Sequence, residues 1–189
     1  DLGCDSGKRW RMSIEIGTRK AVFLDRDGVL CEDTDYVTSF EKLKIFPFSK
    51  QAVDFIHRKG YLAIVVTNQS AVARGMMTEE MLSQINACLK KETGVDEVYY
   101  CPHLPPEGEA IEPYRIICRC RKPSGGMLKQ AAIDYGINLK ASYMAGDRES
   151  DLQAGKDAGT KTVYISKDNK KKINADFRYG TILEFAESL

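Results

Sequence analysis

Nowhere in the sequence do apolar residues run on long enough to span a bilayer, and no secretory leader is recognisable. The expectation is therefore a cytoplasmic protein with no membrane partner. Excess charge is missing as well. With 28 lysines and arginines against 27 aspartates and glutamates, and no stripe of aromatics among basic residues, there is no clustered positive face to hold a nucleic-acid backbone. Residues 1–19 lack helical or strand periodicity and do not begin with methionine, so they read as an N-terminal extension, tag or linker, with no function given to Trp10. Residues 20–189 are one domain's worth of chain, with enough apolar content for a core, expected to act as a monomer. Cysteine is not scarce. Six of them in such a chain point to metal or free thiols before disulfides.

What is present is organised around Lys20-Ala21-Val22-Phe23-Leu24-Asp25-Arg26-Asp27-Gly28. Val22, Phe23 and Leu24 are too continuously apolar for a half-exposed strand, so they predict a buried parallel strand whose carboxyl end delivers Asp25 and Asp27 into a crevice. Open α/β sheets bind ligands there. Two carboxylates one residue apart suit magnesium, a hard cation that takes oxygen ligands and leaves room for phosphate and water. Asp25 is then placed to attack phosphorus, and Asp27 to act as general acid to the leaving oxygen and as base to water. Gly28 permits the sharp turn. By itself such a motif is as readily an acidic turn after a strand.

Further strands end in the same way. Residues 62–66 form a second buried strand running into Thr67, Asn68, Gln69 and Ser70, where a hydroxyl and backbone amides can cradle phosphoryl oxygens. Arg74 follows in the same loop with a guanidinium suited to bidentate phosphate contact. A polar loop after Leu30, including Asp33, Thr34, Asp35 and Tyr36, is placed over the crevice as a source of substrate contacts. Residues 143–147 make a fourth strand ending on Gly146 and Asp147, the acid that completes the magnesium site. Asp151, in a helix predicted to be capped at Ser150, can buttress that site or orient Arg148.

Between these strands the spacing predicts helices over residues 49–59, with His57 facing solvent, and from a Thr78 cap to Gly94. Met81, Leu82, Ile85, Cys88 and Leu89 recur at helical spacing and read as core. A further helix runs from a Ser124 cap to Gly136, and another ends at Gly159. Residues 95–100 and 162–165 are strands, 167–172 a solvated charged loop, 175–177 a short last strand and 182–188 a terminal helix.

A second constellation is Cys101 and His103, then residues 104–117, then Cys118 and Cys120. Three thiolates and an imidazole make a closed tetrahedral set, the ligand count of structural zinc, although reduced thiols without metal are the simpler alternative. Cys4, Cys31 and Cys88 have no partners at such spacing. Arg121 and Lys122 follow directly, held by Pro123; Lys122 is placed to neutralise charge on Asp25 and a phosphoryl group, and Arg121 to reach another part of the substrate.

Asp25-Arg26-Asp27-Gly28, Thr67-Asn68, Lys122, and Gly146-Asp147 with Asp151 resemble, in order and spacing, the four motifs of the haloacid dehalogenase superfamily of phosphohydrolases. Thr67 to Ser70 with Ala73-Arg74-Gly75, and the cysteine and histidine loop before Arg121, resemble its heptose bisphosphate phosphatase and histidinol-phosphate phosphatase family. The resemblance implies a doubly wound, mainly parallel sheet without a separate cap domain, and hydrolysis of a small sugar bisphosphate through an aspartyl-phosphate. It also implies Mg2+ on Asp25, the Asp27 carbonyl and Asp147, and structural Zn2+ on Cys101, His103, Cys118 and Cys120. Ala71 stands where that family usually has glycine, and Arg148 where lysine is common. Histidinol phosphate as substrate, or a zinc-stabilised binding module without chemistry, are the other readings; no catalytic position is missing, which speaks against the module.

Overall fold

The computed structural model describes residues 17–168 and 173–189. Trp10, Cys4 and most of the charged run at 167–172 lie outside them. Six strands, β1 (Lys20–Leu24), β2 (Tyr61–Asn68), β3 (Glu97–Cys101), β4 (Tyr143–Gly146), β5 (Lys161–Ile165) and β6 (Phe177–Tyr179), form one sheet in the order β3-β2-β1-β4-β5-β6. Every pairing is parallel, from Lys20 opposite Tyr61 to Ile165 opposite Tyr179. Both faces are therefore covered by the crossover helices, which explains why β1 and β2 are apolar without a break.

The period of two still sorts the side chains. Val22 and Leu24 point into one core with Ala52, Val53 and Ile56 of α1 (Ser49–Arg58), Leu89 of α2 (Glu79–Thr93) and Phe185 of α5 (Ile182–Ser188). Ala21 and Phe23 point into the other, with Leu128 and Ala131 of α3 (Gly126–Tyr135) and Ala154 of α4 (Glu149–Ala158). No described helix is long and apolar enough to cross a membrane. Strand order reverses between β1 and β4, so the crevice at their carboxyl ends lies at a topological switch point.

The expected elements are present, with shifted ends. The cap of α2 is Thr78, whose hydroxyl accepts from the Met81 amide at 3.2 Å, as expected. The cap of α4 is Arg148, not Ser150: the Asp151 carboxylate accepts the Arg148 amide at 3.0 Å, so Ser150 falls inside the first turn. Similarly Gly125, not Ser124, precedes α3. β3 extends to Cys101, and β6 begins at Phe177 because Asp176 is engaged with the amide and hydroxyl of Thr162. His57 is exposed as expected, with its Nε2 2.8 Å from Asp96. Within the α2 stripe Leu82, Ile85 and Leu89 are buried, Met81 and Cys88 lie at its half-buried margin, and polar Asn86 is buried among them.

Candidate active site

The turn after β1 is tied down before its side chains act. The Asp25 amide donates to the Ala145 carbonyl of β4 at 3.0 Å, and the Gly28 amide donates to the Cys31 carbonyl at 2.7 Å. Gly28 has φ +82, and a Cβ there would lie 2.3 Å from Asp147 Oδ2, so glycine is required both by conformation and by the closeness of the turn to β4. This brings Asp25 and Asp147, 122 positions apart by subtraction, beside Asp151: one oxygen from each of the three lies within 4.8 Å of the others.

Such a cluster is electrostatically unfavourable alone. Burial, then the neighbouring Asp151 charge, pushes Asp25 up to about 7 against the opposing pull of Lys122. Burial and Asp151 likewise raise Asp147 to about 6. Lys122 supplies one compensating charge. It is almost fully buried, with Nζ 2.9 Å from Asp25 Oδ1, 2.7 Å from Asp151 Oδ1 and donating to the Val66 carbonyl at 2.8 Å. Burial acts to lower its proton affinity, but Asp25 and Asp151 outweigh that and hold it above the ordinary lysine value. Asp147 Oδ1 is buried with no partner among the described residues. An orphaned carboxylate oxygen beside two further acids fits a divalent cation. Asp151 has Oδ1 on Lys122 and Oδ2 on the Arg148 amide, so it buttresses the cluster, and Asp25 and Asp147 are the acids that could face a divalent cation.

A crevice of about 440 Å³ opens from this cluster. Its lining includes Asp25, Asp27, Thr67, Asn68, Gln69, Ser70 and Lys122 on the floor. Asp33, Asp35, Tyr36, Arg74, Arg121 and Arg148 also line it. Ser150 and Asp151 complete the set, Ser150 being a lining residue that its sequence context as a helix cap concealed. Among the residues expected to contact substrate, Thr34 alone is not in the lining, its hydroxyl being 3.5 Å from the Lys42 carbonyl; Asp147, expected as a metal ligand, sits behind the lining with one oxygen buried. Asn68 reaches the crevice, but its amide is engaged in both directions with the main chain of Lys122, at 3.0 Å each, and so places that lysine. Arg121 donates to the His103 carbonyl at 3.0 Å, which joins the cysteine and histidine loop to the crevice.

The loop over the mouth is held by charge at both ends. Asp33 pairs with Arg148, and the Arg74 guanidinium lies 5.9 Å from the Tyr36 ring. Between them Asp35 (φ +61) and Tyr36 (φ +129) occupy positive-φ conformations, each costing on the order of 1 kcal/mol or more for a non-glycine residue.

Behind the floor lies a residue that sequence reasoning passed over. Arg26 is fully buried and contacts Asp27, Gln69 and Asn86. Its only signal in the sequence was a bulky cation at the end of a buried strand. Cys31, also buried, has Sγ 3.4 Å from Asp27 Oδ1.

The cysteine and histidine loop closes on itself as expected. Cys101 Sγ lies 3.6 Å from His103 Nδ1, 3.5 Å from Cys118 Sγ and 3.3 Å from Cys120 Sγ. Cys120 Sγ is 3.4 Å from His103 Nδ1 and 3.2 Å from Cys118 Sγ. A regular tetrahedron of such edges has its centre roughly 2.1 Å from each corner, close to the ~2.3 Å and ~2.0 Å of zinc–sulfur and zinc–nitrogen bonds. The donor set fits zinc. Glu79 at the start of α2 accepts from Tyr100 at 3.1 Å and Tyr114 at 3.0 Å, anchoring the loop to the domain.

Comparison with known proteins places this geometry. A family model described as HAD-hydrolase-like matches residues 119–180. The D-glycero-beta-D-manno-heptose-1,7-bisphosphate 7-phosphatase of Haemophilus ducreyi is 41% identical over 158 residues, which are 80% of this chain and 85% of that protein. The D-glycero-alpha-D-manno-heptose-1,7-bisphosphate 7-phosphatase of Burkholderia mallei is 38% identical over 151 residues, 77% of this chain and 79% of that one. Among solved structures, D,D-heptose 1,7-bisphosphate phosphatase from B. bronchiseptica, complexed with magnesium and phosphate, superposes with a TM-score of 0.76 at 28% identity, covering 90% of this chain and 97% of that one.

Proposed function

Because this chain belongs to the HAD-like hydrolases and, within them, to the heptose bisphosphate phosphatases, we propose that it removes the 7-phosphate of D-glycero-D-manno-heptose 1,7-bisphosphate through an aspartyl-phosphate. The observation that carries this reading is the polarity of one crevice: an acid cluster with Lys122 at its floor, and Arg74, Arg121 and Arg148 along its length. A bisphosphate needs an anion site at each end.

At the floor, an Asp25 oxygen attacks phosphorus in line with the sugar oxygen. The phosphorus bond to that oxygen breaks as the bond to Asp25 forms, and Asp27 gives its proton to the departing oxygen. Water then attacks the phosphoryl group, Asp27 takes a proton from it, and the bond to Asp25 breaks to release inorganic phosphate. Lys122 offsets charge on Asp25 and the phosphoryl oxygens, and the Thr67 hydroxyl with the amides that follow it holds those oxygens. Asp25, Asp147 and the Asp27 carbonyl would hold Mg2+, which would supply charge neutralisation between carboxylate and phosphate. Cys101, His103, Cys118 and Cys120 would hold Zn2+, which would fix the loop that presents Arg121.

Arg74, Arg121 and Arg148 receive the distal phosphate. The mouth also carries Asp33, Asp35 and Tyr36, groups that suit the amine of histidinol phosphate. Asp33 is engaged with Arg148, and three guanidiniums against two carboxylates leave the mouth positive, which favours the bisphosphate. Phosphate release from both anomers of the heptose bisphosphate, beside histidinol phosphate and fructose 1,6-bisphosphate, with and without magnesium, tests the assignment. A heptose bisphosphate should show the highest kcat/KM, magnesium should be required, and Asp25→Asn should abolish turnover with the fold intact. A higher kcat/KM for histidinol phosphate would reverse the assignment.

A further inference from the structure

An acid that must protonate a leaving oxygen has to be aimed, and the groups that aim Asp27 lie at the crevice floor and behind it. Arg26 Nε donates to Asp27 Oδ1 at 3.0 Å and Arg26 Nη2 donates to Asp27 Oδ2 at 3.1 Å, a two-point fork that fixes the plane of the carboxylate. The fork is itself fixed. Nη2 also donates to Gln69 Oε1 at 2.9 Å, and Nη1 donates to Asn86 Oδ1 at 3.1 Å, on α2. Gln69 Nε2 completes the ring by donating to Asp27 Oδ2 and to Thr67 Oγ1, both at 2.9 Å. Arg26 is 0% exposed, and Gln69 and Asn86 are 4% and 5% exposed.

A buried arginine is expensive to desolvate, and a charge needing only neutralisation does not need both its faces matched. Here all three guanidinium nitrogens have side-chain acceptors, and two of them converge on one carboxylate. Resting on the phosphatase reading above, we infer that Arg26 is a positioning residue for the acid step, with Asn86 as its anchor. Arg26 does not line the crevice, so it acts on the reaction only through Asp27. It acts by holding the Asp27 carboxyl in the plane from which the proton reaches the leaving oxygen.

This separates from a purely structural role through the leaving group. A sugar oxygen leaves poorly without a proton, whereas p-nitrophenolate leaves without one. kcat/KM reports only the steps up to phosphoryl transfer to Asp25, so it isolates the acid step from the later attack of water. Arg26→Lys keeps a positive charge and removes the fork. Its kcat/KM on the heptose bisphosphate should fall about a hundredfold, the low end of what a placed general acid contributes, while that on p-nitrophenyl phosphate falls less than about threefold. Asn86→Ala should show the same selectivity at about a tenth of the size.

Equal losses on both substrates in Arg26→Lys and Asn86→Ala, or no loss on either, would overturn the inference. Where Arg26→Lys does not give a native circular dichroism spectrum, Asn86→Ala alone decides, because its selectivity ratio is independent of the amount folded. Wild-type protein that releases phosphate from neither substrate refutes the phosphatase reading instead.

Discussion

Lys122→Met is the perturbation that most directly tests how the floor of the crevice is held. The lysine joins two buried carboxylates, at 2.9 Å and 2.7 Å, and donates to the Val66 carbonyl at 2.8 Å. Removing one partner of a buried ion pair costs about 3–5 kcal/mol, because the charge left behind is uncompensated. Here two charges are left, Asp25 and Asp151, facing each other. In the native protein Asp25 already titrates near 7 because burial and Asp151 raise it, and Lys122 is what pulls it down. Without the lysine its proton affinity rises further. At pH 8 the variant must either keep both acids ionised in the core or bind a proton against the solution. At pH 5.5 the proton is readily taken up and the loss shrinks. The destabilisation should therefore be about 4 kcal/mol at pH 8 and markedly smaller at pH 5.5. At roughly 2–4 °C per kcal/mol for a chain of this size, that is a Tm lower by about 10 °C at pH 8. Urea unfolding at both pH values in magnesium-free buffer measures it, and Lys122→Met with Asp151→Asn should recover part of the loss. A variant within ~1 kcal/mol of the native protein at pH 8, or one whose loss is the same at both pH values, would refute the reasoning.

Mg2+ should raise the Tm more at pH 8 than at pH 5. Asp147 is raised to about 6 and Asp25 to about 7, so the metal-free protein loses stability as pH climbs through that window, above which the cation no longer competes with protons; an equal increment at both pH values contradicts the site. Purified protein should carry about one zinc per chain by atomic emission, and a zinc chelator or Cys118→Ser should lower the Tm by 10 °C or more, since such a site contributes on the order of 10 kcal/mol of folding energy. Zinc-free protein with an unchanged Tm counts against it. Asp33→Asn releases Arg148 from a partly exposed ion pair worth at most about 1 kcal/mol, so KM for the bisphosphate should fall by up to about fivefold. A KM that rises instead would show that Asp33 helps rather than competes.

The acids, hydroxyl and lysine of the floor were legible because each sits at the end of an unbroken apolar run or beside a proline, positions that local pattern identifies. Val22 to Leu24 fall fully buried before Asp25, and Tyr143 to Gly146 run into Asp147, as the alternation of strands and helices predicts. The cysteine and histidine spacing was legible for the same reason, its four donors lying within one stretch of chain. The cap of α4 was misread because Ser150 has the better capping side chain, while the capping is done backwards by Asp151 onto the Arg148 amide. Arg26 was invisible in a different way. Its partners Gln69 and Asn86 lie 43 and 60 positions away, and only the packing of β2 and α2 beside β1 puts them within reach. The clasp of Asn68 on Lys122 and the pairing of Asp33 with Arg148 are of that kind, whereas the fork on Asp27 joins neighbours in the chain and depends on those distant partners only to hold the guanidinium. The chain by itself determined which chemical groups stand at the strand ends, since that depends on hydrophobic period and the residue that breaks it. Tertiary structure alone decided which of those groups face one another, since strand order and turn geometry set distances that separation along the chain does not encode.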